Sequence, residues 1–277
     1  MFTYIDSIED LSFLNKELLQ KSYVGVDTEF RRTTKDNMRL ALLQVNDGEE
    51  IYLIDTVSIG DPEDNCNFLI SDSVIKIFHS CKEDIEAIYS WTGNVMRNLF
   101  DTQLAHAFLD GQYSIGYQGL VEEKLGITLD KKETRSNWIR RPLSDSQLSY
   151  AASDVEYLIY IFIEQEKELI KTKKIDWHNE DLESLISTIF NPLRTTEEIG
   201  CKLSKSEERN LLNTFNDIVL NISKIEEINP TLFFSKKNQK EFIRLALSEG
   251  SERAFEGITG WRSQLIKDPL NEILLNY

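Results

Sequence analysis

The segment SYVGVDTEF (residues 22–30) is the first of three strand-like runs that decide the fold of this chain. RLALLQV (39–45) and EIYLIDT (50–56) follow it, each dominated by β-branched and apolar residues. Asn46-Asp47-Gly48 separates the last two runs and is a strong signal for a hairpin turn. The three runs therefore predict an antiparallel meander.

Further along the chain, strand-like and helix-like segments alternate. VIKIFHS (74–80) is typical of a buried strand, and a helical pattern follows over residues 82–91, with the capping-box form Ser80-Cys81-Lys82-Glu83 at its start. Residues 96–101 read as another strand and 101–109 as another helix. This order predicts an α/β fold with a mixed sheet and helices on its faces.

Two helical regions complete the chain. A long helical pattern runs from Ser144 to about Lys173, and a mostly helical region begins near residue 200, after Asn191-Pro192 and a polar stretch. We therefore predict two domains, covering residues 1–190 and 200–277.

Composition excludes several classes of protein. The 277 residues are 41% hydrophobic and 28% charged, which is typical of a globular chain with a real core. No run approaches the ~18 apolar residues of a membrane span, and the acidic N-terminus lacks the pattern of a secretory signal. Three widely spaced cysteines fit a reducing compartment. We expect a cytoplasmic protein without a membrane partner.

The net charge of −16 lies entirely in residues 1–199, because residues 200–277 hold 11 basic and 11 acidic side chains. An acidic chain is a poor candidate for nonspecific nucleic-acid binding, which depends on cationic surface. An acidic cluster that holds divalent metal would also add to this negative total.

Five side chains have a spacing that favours a shared site. Asp27 and Glu29 lie two apart on a strand and so share a face, while Tyr150 and Asp154 lie four apart on a helix. Asp84 falls in the first turn of a helix, where the helix dipole favours an acid whatever its function. Each acid alone has a structural interpretation as a solvated surface group. Clustered together, they would need the counter-charge that Mg²⁺ or Mn²⁺ supplies through oxygen ligands.

The order D-x-E, then Asp, then Y-x-x-x-D resembles the motifs of the DEDD exonucleases, and the surrounding sequence resembles ribonuclease D in particular. The matching segments are VDTEFRR (26–32), RLALLQV (39–45), FHSCKEDIEAIY (78–89), FDTQLAHAF (100–108), LVEEKLGITLDKKETRSNWIRRPLSDSQLSYAASDVEYL (120–158) and GWRSQLI (260–266). The resemblance implies a ribonuclease-H-like fold with a sheet of five to six strands. It also implies 3′→5′ hydrolysis of RNA with a free 3′ end to 5′-mononucleotides, most plausibly of tRNA precursors.

The resemblance also implies a role for each of the five residues and two divalent cations, Mg²⁺ or Mn²⁺. Asp27 should bridge both metals, Glu29 and Asp154 should bind the first, and Asp84 should bind the second, partly through water. Tyr150 should orient the attacking water. An alternative places Asp101 in the position of Asp84, and Asp101 otherwise reads as a helix N-cap. His79, which has no partner histidine at ligand spacing, reads as structural.

Two basic segments are candidates for contacting nucleic acid. The first is a proline-containing loop that combines an aromatic residue with cationic residues, a composition expected at a channel for single-stranded nucleic acid. The alternative interpretation is a packed tryptophan in a solvated basic loop. The second lies in residues 200–277, which resemble one small helical HRDC (helicase-and-RNase-D C-terminal) domain through INPTLFFSKKNQKEFI (228–243). The alternative interpretation of this second segment is a plain solvated face. The candidates are Arg135, Trp138, Arg140 and Arg141 in the first segment and Lys236, Lys237, Lys240 and Arg244 in the second.

Two other functions remain open from the sequence. One is an exonuclease of the same chemistry that acts on DNA, as Werner-type exonucleases do. The other is an inactive exonuclease fold that serves as an RNA-binding scaffold, although a scaffold has no need to keep four repelling carboxylates.

Overall fold

The computed structural model describes residues 2–34, 37–109, 111–129, 133, 136–191 and 203–275. Its elements form two compact units. The first comprises Met1–Ala105 with Ile115–Glu168, and the second comprises His106–Ser114 with Leu169–Tyr277.

The first unit is built on a mixed sheet with six strands among the described residues. In sheet order β1-β4-β3-β2-β5-β6, the antiparallel meander β2-β3-β4 is flanked by parallel pairs β1·β4, β2·β5 and β5·β6. The prediction of a mixed sheet flanked by helices is therefore confirmed. The strands are β1 Thr3–Ile5, β2 Tyr23–Thr34, β3 Asn37–Asn46, β4 Ile51–Ile54, β5 Ile75–Phe78 and β6 Leu99–Asp101.

The turn between β3 and β4 is the predicted hairpin. Asn46 pairs with Ile51, and Gly48 takes a positive φ of 91°, which glycine adopts without steric penalty. The Asp47 carboxylate accepts hydrogen bonds from the backbone N–H groups of Glu49 (2.9 Å) and Glu50 (2.8 Å). These local bonds fix the register of the meander.

Eight helices begin among the described residues of this unit, and α5 and α8 end in the second unit. They are α1 Ile8–Leu18, α2 Thr56–Ile59, α3 Asn67–Ile70, α4 Lys82–Thr92, α5 Thr102–Phe108, α6 Tyr117–Leu125, α7 Asp145–Glu156 and α8 Leu158–Lys171. The helical pattern over residues 144–173 forms two helices, α7 and α8, which are separated at Tyr157. There the backbone N–H donates to the Tyr117 hydroxyl (3.0 Å).

Helix α7 packs across strands β2, β3 and β4. Gly25 on β2 permits this approach, because a Cβ added there would lie 3.2 Å from the Leu158 Cβ and 3.5 Å from the Val155 carbonyl oxygen. The close packing places the polar positions of α7 directly above the centre of the sheet.

The start of α4 differs from the predicted capping box. Ser80 takes a left-handed φ of 66°, and Cys81 stands at the N-cap without a side-chain bond. The Asp101 carboxylate instead accepts hydrogen bonds from the backbone N–H groups of Ser80 (3.0 Å) and Cys81 (2.8 Å). A residue distant in sequence therefore caps this turn.

The second unit is helical in its described residues, as predicted for the C-terminal region. Its helices α10 and α11 bury Phe215 and Phe234, whose ring centroids are 5.1 Å apart. Trp177 and Trp261 stack at 4.8 Å. The helices are α9 Ile175–Phe190, α10 Lys205–Glu226, α11 Pro230–Phe234, α12 Lys236–Glu249, α13 Ser251–Glu256 and α14 Gly260–Leu274.

Helix α9 belongs to the second compact unit, since Asp181 accepts a paired set of hydrogen bonds from the Arg262 guanidinium. The boundary predicted between domains 1–190 and 200–277 lies at residues 191–199, of which only Asn191 is among the described residues, and those domain extents stay a prediction. No helix in the described part of the chain is long and apolar enough to span a bilayer.

Candidate active site

The fold brings the predicted carboxylates to one place on the first unit. Asp27 and Glu29 lie on the same face of the central strand β2. Asp84 lies in the first turn of α4, directly after β5, which pairs with β2 in parallel. Asp154 and Tyr150 lie on α7, which crosses the same strand.

The electrostatics of the site show that these four acids interact. Burial raises the pKa of Asp27 well above its ordinary range, and the carboxylates of Asp84, Asp154 and Glu29 raise it further. Burial, followed by Asp154 and Asp84, raises the pKa of Glu29 to about 9. Without a cation to balance their charge, Asp27 and Glu29 therefore keep their protons to a higher pH than ordinary carboxyl groups do.

The other two acids are held by hydrogen bonds that partly offset the same effect. Burial raises the pKa of Asp84 to about 7, although the Thr28 hydroxyl donates a hydrogen bond to its carboxylate. Burial likewise raises the pKa of Asp154 to about 7, against a hydrogen bond with Tyr150. The phenol of Tyr150 is thus already placed at one of the carboxylates.

This donor set fits a hard divalent cation, because it consists of carboxylate oxygens with excess negative charge. Among the described residues, however, no three His, Cys, Asp or Glu side chains already converge in an arrangement that could hold a metal ion. The residues therefore fit such an ion by the chemistry of their oxygen donors.

The structure distinguishes Asp84 from its rival Asp101. Besides holding the turn before α4, the Asp101 carboxylate accepts hydrogen bonds from the backbone N–H groups of Gln103 (2.8 Å) and Leu104 (3.1 Å) at the start of α5. It therefore caps α5, as its N-cap interpretation requires. Asp84 is the acid that raises the pKa of both Asp27 and Glu29, which favours it as the site residue.

His79 has the structural role that its isolation in the sequence suggested. Its Nδ1 lies 2.9 Å from the Thr102 hydroxyl oxygen, and its Nε2 lies 2.9 Å from the Ile115 carbonyl oxygen. Both ring nitrogens are thus used in joining β5 to neighbouring segments.

Two of the predicted RNA contacts in the loop before α7 require correction. Trp138 is 4% exposed and packs against Tyr150, so the packed alternative holds and its ring is not open to a base. Arg141 donates all of its N–H groups within the protein, which leaves no donor for a phosphate. Arg140 is exposed and stays a candidate, whereas Arg135 lies outside the described residues.

The candidate contacts of the second unit lie on α12. Lys236, Lys237 and Lys240 are exposed, although Lys237 lies 3.8 Å from a Glu241 carboxylate oxygen. Arg244 is half-buried and donates to Glu208 (3.3 Å). The structure therefore leaves the three lysines as the accessible cations of this set.

Sequence reasoning missed Gln44 and Tyr117. Gln44 stands directly opposite Asp27 in the β2–β3 register, is fully buried, and finds no hydrogen-bond partner for its amide among the described residues. The signal for it was a glutamine within the apolar run RLALLQV. Tyr117 lies near Asp154, and its hydroxyl accepts a hydrogen bond from the Tyr157 N–H between α7 and α8; the sequence carried no comparable local signal for it.

Comparison with known families and proteins agrees with this geometry. Residues 2–170 match the family model described as 3′-5′ exonuclease. Ribonuclease D of Xanthomonas oryzae pv. oryzae is 43% identical over 166 residues, which are 60% of this chain and 46% of the relative. Ribonuclease D of Haemophilus influenzae is 43% identical over 153 residues, which are 55% of this chain and 38% of the relative. This chain thus spans about half the length of the curated relatives it matches.

Solved structures share the fold. Escherichia coli RNase D, titled an exoribonuclease involved in structured RNA processing, aligns with a TM-score of 0.67 at 23% identity, covering 100% of this chain and 75% of the other. Brucella melitensis NrnC with bound Mg²⁺ aligns with a TM-score of 0.59 at 22% identity, covering 74% of this chain and 98% of the other. At this level of identity, the likeness shows a common architecture.

Proposed function

Because this chain belongs to the 3′-5′ exonuclease family, we propose that it is a metal-dependent 3′→5′ exoribonuclease of the ribonuclease D type. The observation that carries the proposal is the electrostatic interaction of Asp27 with Glu29, Asp84 and Asp154, together with the hydrogen bond between Tyr150 and Asp154. RNA is preferred to DNA as the substrate because the curated relatives compared above are ribonucleases by name. Precursors of tRNA and a cytoplasmic location are part of the same proposal.

The four carboxylates would hold two divalent cations, Mg²⁺ or Mn²⁺, and a Brucella protein of the same fold is titled as binding Mg²⁺. When bound, such ions lower the pKa of a water molecule and stabilise the charge that develops on the phosphate. Asp27 interacts electrostatically with all three other acids, which suits it to contact both ions.

Tyr150 handles the attacking water in this proposal. Its hydroxyl interacts with the Asp154 carboxylate, so it is held beside the site where the water would be activated. A tyrosine hydroxyl can donate one hydrogen bond and accept others, and the phenol therefore orients the water. Buried packing around α7 keeps the phenol in this position.

We propose that the second unit is an HRDC-like domain that recruits RNA. The support is its helical fold, the balance of 11 basic and 11 acidic side chains over residues 200–277 in an otherwise acidic chain, and the three exposed lysines of α12. Cationic side chains on such a face would release counterions from the phosphate backbone.

A single digestion experiment tests the proposed function. Matched RNA and DNA strands, labelled at either the 3′ or the 5′ end, are incubated with and without Mg²⁺ or Mn²⁺. We expect immediate release of labelled mononucleotide from 3′-labelled RNA, a descending ladder from 5′-labelled RNA, and no product in EDTA. Preferential digestion of DNA would support the Werner-type alternative, and binding of RNA without cleavage would support the scaffold.

A further inference from the structure

An ion pair joins Arg141, in the loop before α7, to Asp55, which follows strand β4. We propose that Asp55 and Arg141 form a clamp that holds Trp138 against Tyr150, which makes Arg141 a positioning residue for hydrolysis. The inference rests on the proposed function and adds to it a group that acts through Tyr150 without touching substrate.

The Arg141 guanidinium is fully committed to this clamp. Its Nε donates to Asp55 Oδ2 (2.7 Å), and its Nη2 donates to Asp55 Oδ1 and to the Ala41 carbonyl oxygen (2.7 Å). Its Nη1 donates to the carbonyl oxygens of Trp138 (2.6 Å) and Arg140 (3.0 Å). One planar group thereby ties the loop backbone at Trp138 to strand β3 and to Asp55.

Asp55 is itself fixed from several sides. It caps α2 by accepting hydrogen bonds from the backbone N–H groups of Val57 (3.0 Å) and Ser58 (3.1 Å). The Tyr4 hydroxyl donates to Asp55 Oδ2 (2.7 Å). Although burial alone raises the pKa of the Asp55 carboxyl, hydrogen bonds from Arg141, Ser58 and Tyr4 lower it to about 2, so it stays ionised at every working pH.

Trp138 transmits the position of the clamp to Tyr150. Its ring centroid lies 6.1 Å from that of Tyr150 at an interplanar angle of 39°, within a cluster that includes Leu53 and Ala151. Its indole N–H has no hydrogen-bond partner in the part of the chain that the structure describes. The ring is therefore located by apolar packing and by the bond from Arg141 to its backbone carbonyl.

An ion pair suits positioning better than stability. A buried salt bridge contributes little net stability because desolvation offsets its attraction, but a bidentate guanidinium–carboxylate pair fixes both distance and orientation. Lysine offers three donors on a flexible stem and cannot reproduce the fork. A displacement of about 1 Å at a catalytic group can lower a rate by about 10²-fold.

The test is a double-mutant cycle with Arg141→Lys and Tyr150→Phe, measured as kcat and KM on a short RNA. We expect Arg141→Lys to lower kcat by about 10- to 100-fold with little change in KM. In the Tyr150→Phe background, we expect Arg141→Lys to cause no further loss of kcat. A melting curve of each variant sets the assay temperature below the unfolding transition.

Arg262→Lys is the matched control. It breaks another paired guanidinium–aspartate contact, with Asp181, whose accompanying carbonyl partners Leu232 and Phe233 also belong to the second unit. We expect it to lower the melting temperature without changing kcat. Should Arg141→Lys fail to fold, Asp55→Asn tests the same clamp while keeping an acceptor oxygen.

Failure of the proposed clamp and failure of the proposed function give different results. Equal loss of kcat from Arg141→Lys in both backgrounds, or a loss of stability alone, overturns the clamp while the proposed function stands. An unchanged kcat in Tyr150→Phe itself removes the role of Tyr150 and with it the proposed chemistry of the site.

Discussion

Asp84→Asn and Asp101→Asn are a matched pair of substitutions that should shift stability in opposite directions. Both aspartates are buried, at 7% and 5% exposure, and both lie at the strand-to-helix turns that border β5 and β6. One belongs to a cluster of repelling carboxylates, and the other is surrounded by backbone N–H donors.

The expected loss at Asp101 follows from its hydrogen bonds. Its carboxylate accepts from four backbone N–H groups at 2.8–3.1 Å, and a hydrogen bond to a charged group contributes about 1.5–3 kcal/mol. Asparagine keeps one acceptor oxygen but turns an NH₂ group toward at least one of these donors. We expect a destabilisation of about 2–4 kcal/mol, which corresponds to a fall in Tm of roughly 4–16 °C for a chain of this size.

The expected gain at Asp84 follows from its pKa, which rises from 3.8 to about 7 on folding. When folding raises the pKa of an acid, the folded protein loses stability as the pH rises from the pKa of the unfolded state through the pKa of the folded state. The full penalty is present at pH 8. Each pKa unit corresponds to about 1.4 kcal/mol, and solvent relaxation reduces the total. Asparagine still accepts the Thr28 hydrogen bond, so we expect the metal-free protein to gain about 1–3 kcal/mol.

The assay combines denaturant unfolding in EDTA at pH 8 with turnover of labelled RNA in Mg²⁺ or Mn²⁺. Asp84→Asn should raise the unfolding midpoint and lower turnover at least about 10²-fold, since it removes a group that stabilises charge in the transition state. Asp101→Asn should lower the midpoint and keep most of the turnover of the folded fraction. The reverse pattern would refute the assignment and move the metal site to Asp101.

Four further outcomes test the remaining parts of the model. Asp27→Asn should abolish hydrolysis and leave the circular dichroism spectrum unchanged, and near-normal activity in Mg²⁺ would contradict the metal site. Tyr150→Phe should lower kcat by roughly 10²–10⁴ with RNA affinity little changed, whereas weaker binding at normal kcat would make Tyr150 a contact for the base. The metal-free protein should lose stability as the pH rises from about 4.5 to about 9, because the pKa of Glu29 is raised from 4.5 to about 9. Millimolar Mn²⁺ should reduce that loss, and melting curves that do not depend on pH would exclude the effect. The exposed lysines of α12 are Lys236, Lys237 and Lys240. Replacing all three by glutamine should reduce the slope of log binding constant against log salt concentration by up to about 2, at about 0.7 for each phosphate contact. An unchanged slope would mean that they are only a solvated face.

The amino-acid sequence by itself determined the features that depend on neighbouring residues. The meander follows from three apolar runs and the Asn46-Asp47-Gly48 turn, in which the Asp47 carboxylate accepts hydrogen bonds from the neighbouring backbone N–H groups of Glu49 and Glu50. The side chains of Asp27 and Glu29 share a face because strands alternate, and those of Tyr150 and Asp154 share one because helices turn every 3.6 residues. These relations are fixed by backbone geometry, so they could be read before any fold was known.

Only the tertiary structure decided which distant groups meet. Asp84 and Asp101 both lie near strand-to-helix junctions, and their roles differ because Asp101 accepts hydrogen bonds from backbone N–H groups before α4 and within α5, whereas Asp84 interacts with the other carboxylates of the cluster. Arg141 looked like a phosphate contact until the fold brought it to Asp55, which lies 86 residues away along the chain. Helix α7 ends at Glu156, and the N–H of the next residue, Tyr157, donates to a hydroxyl 40 residues earlier in the chain. Tertiary packing brings each of these partners together, and the local periodicity of the sequence does not predict them.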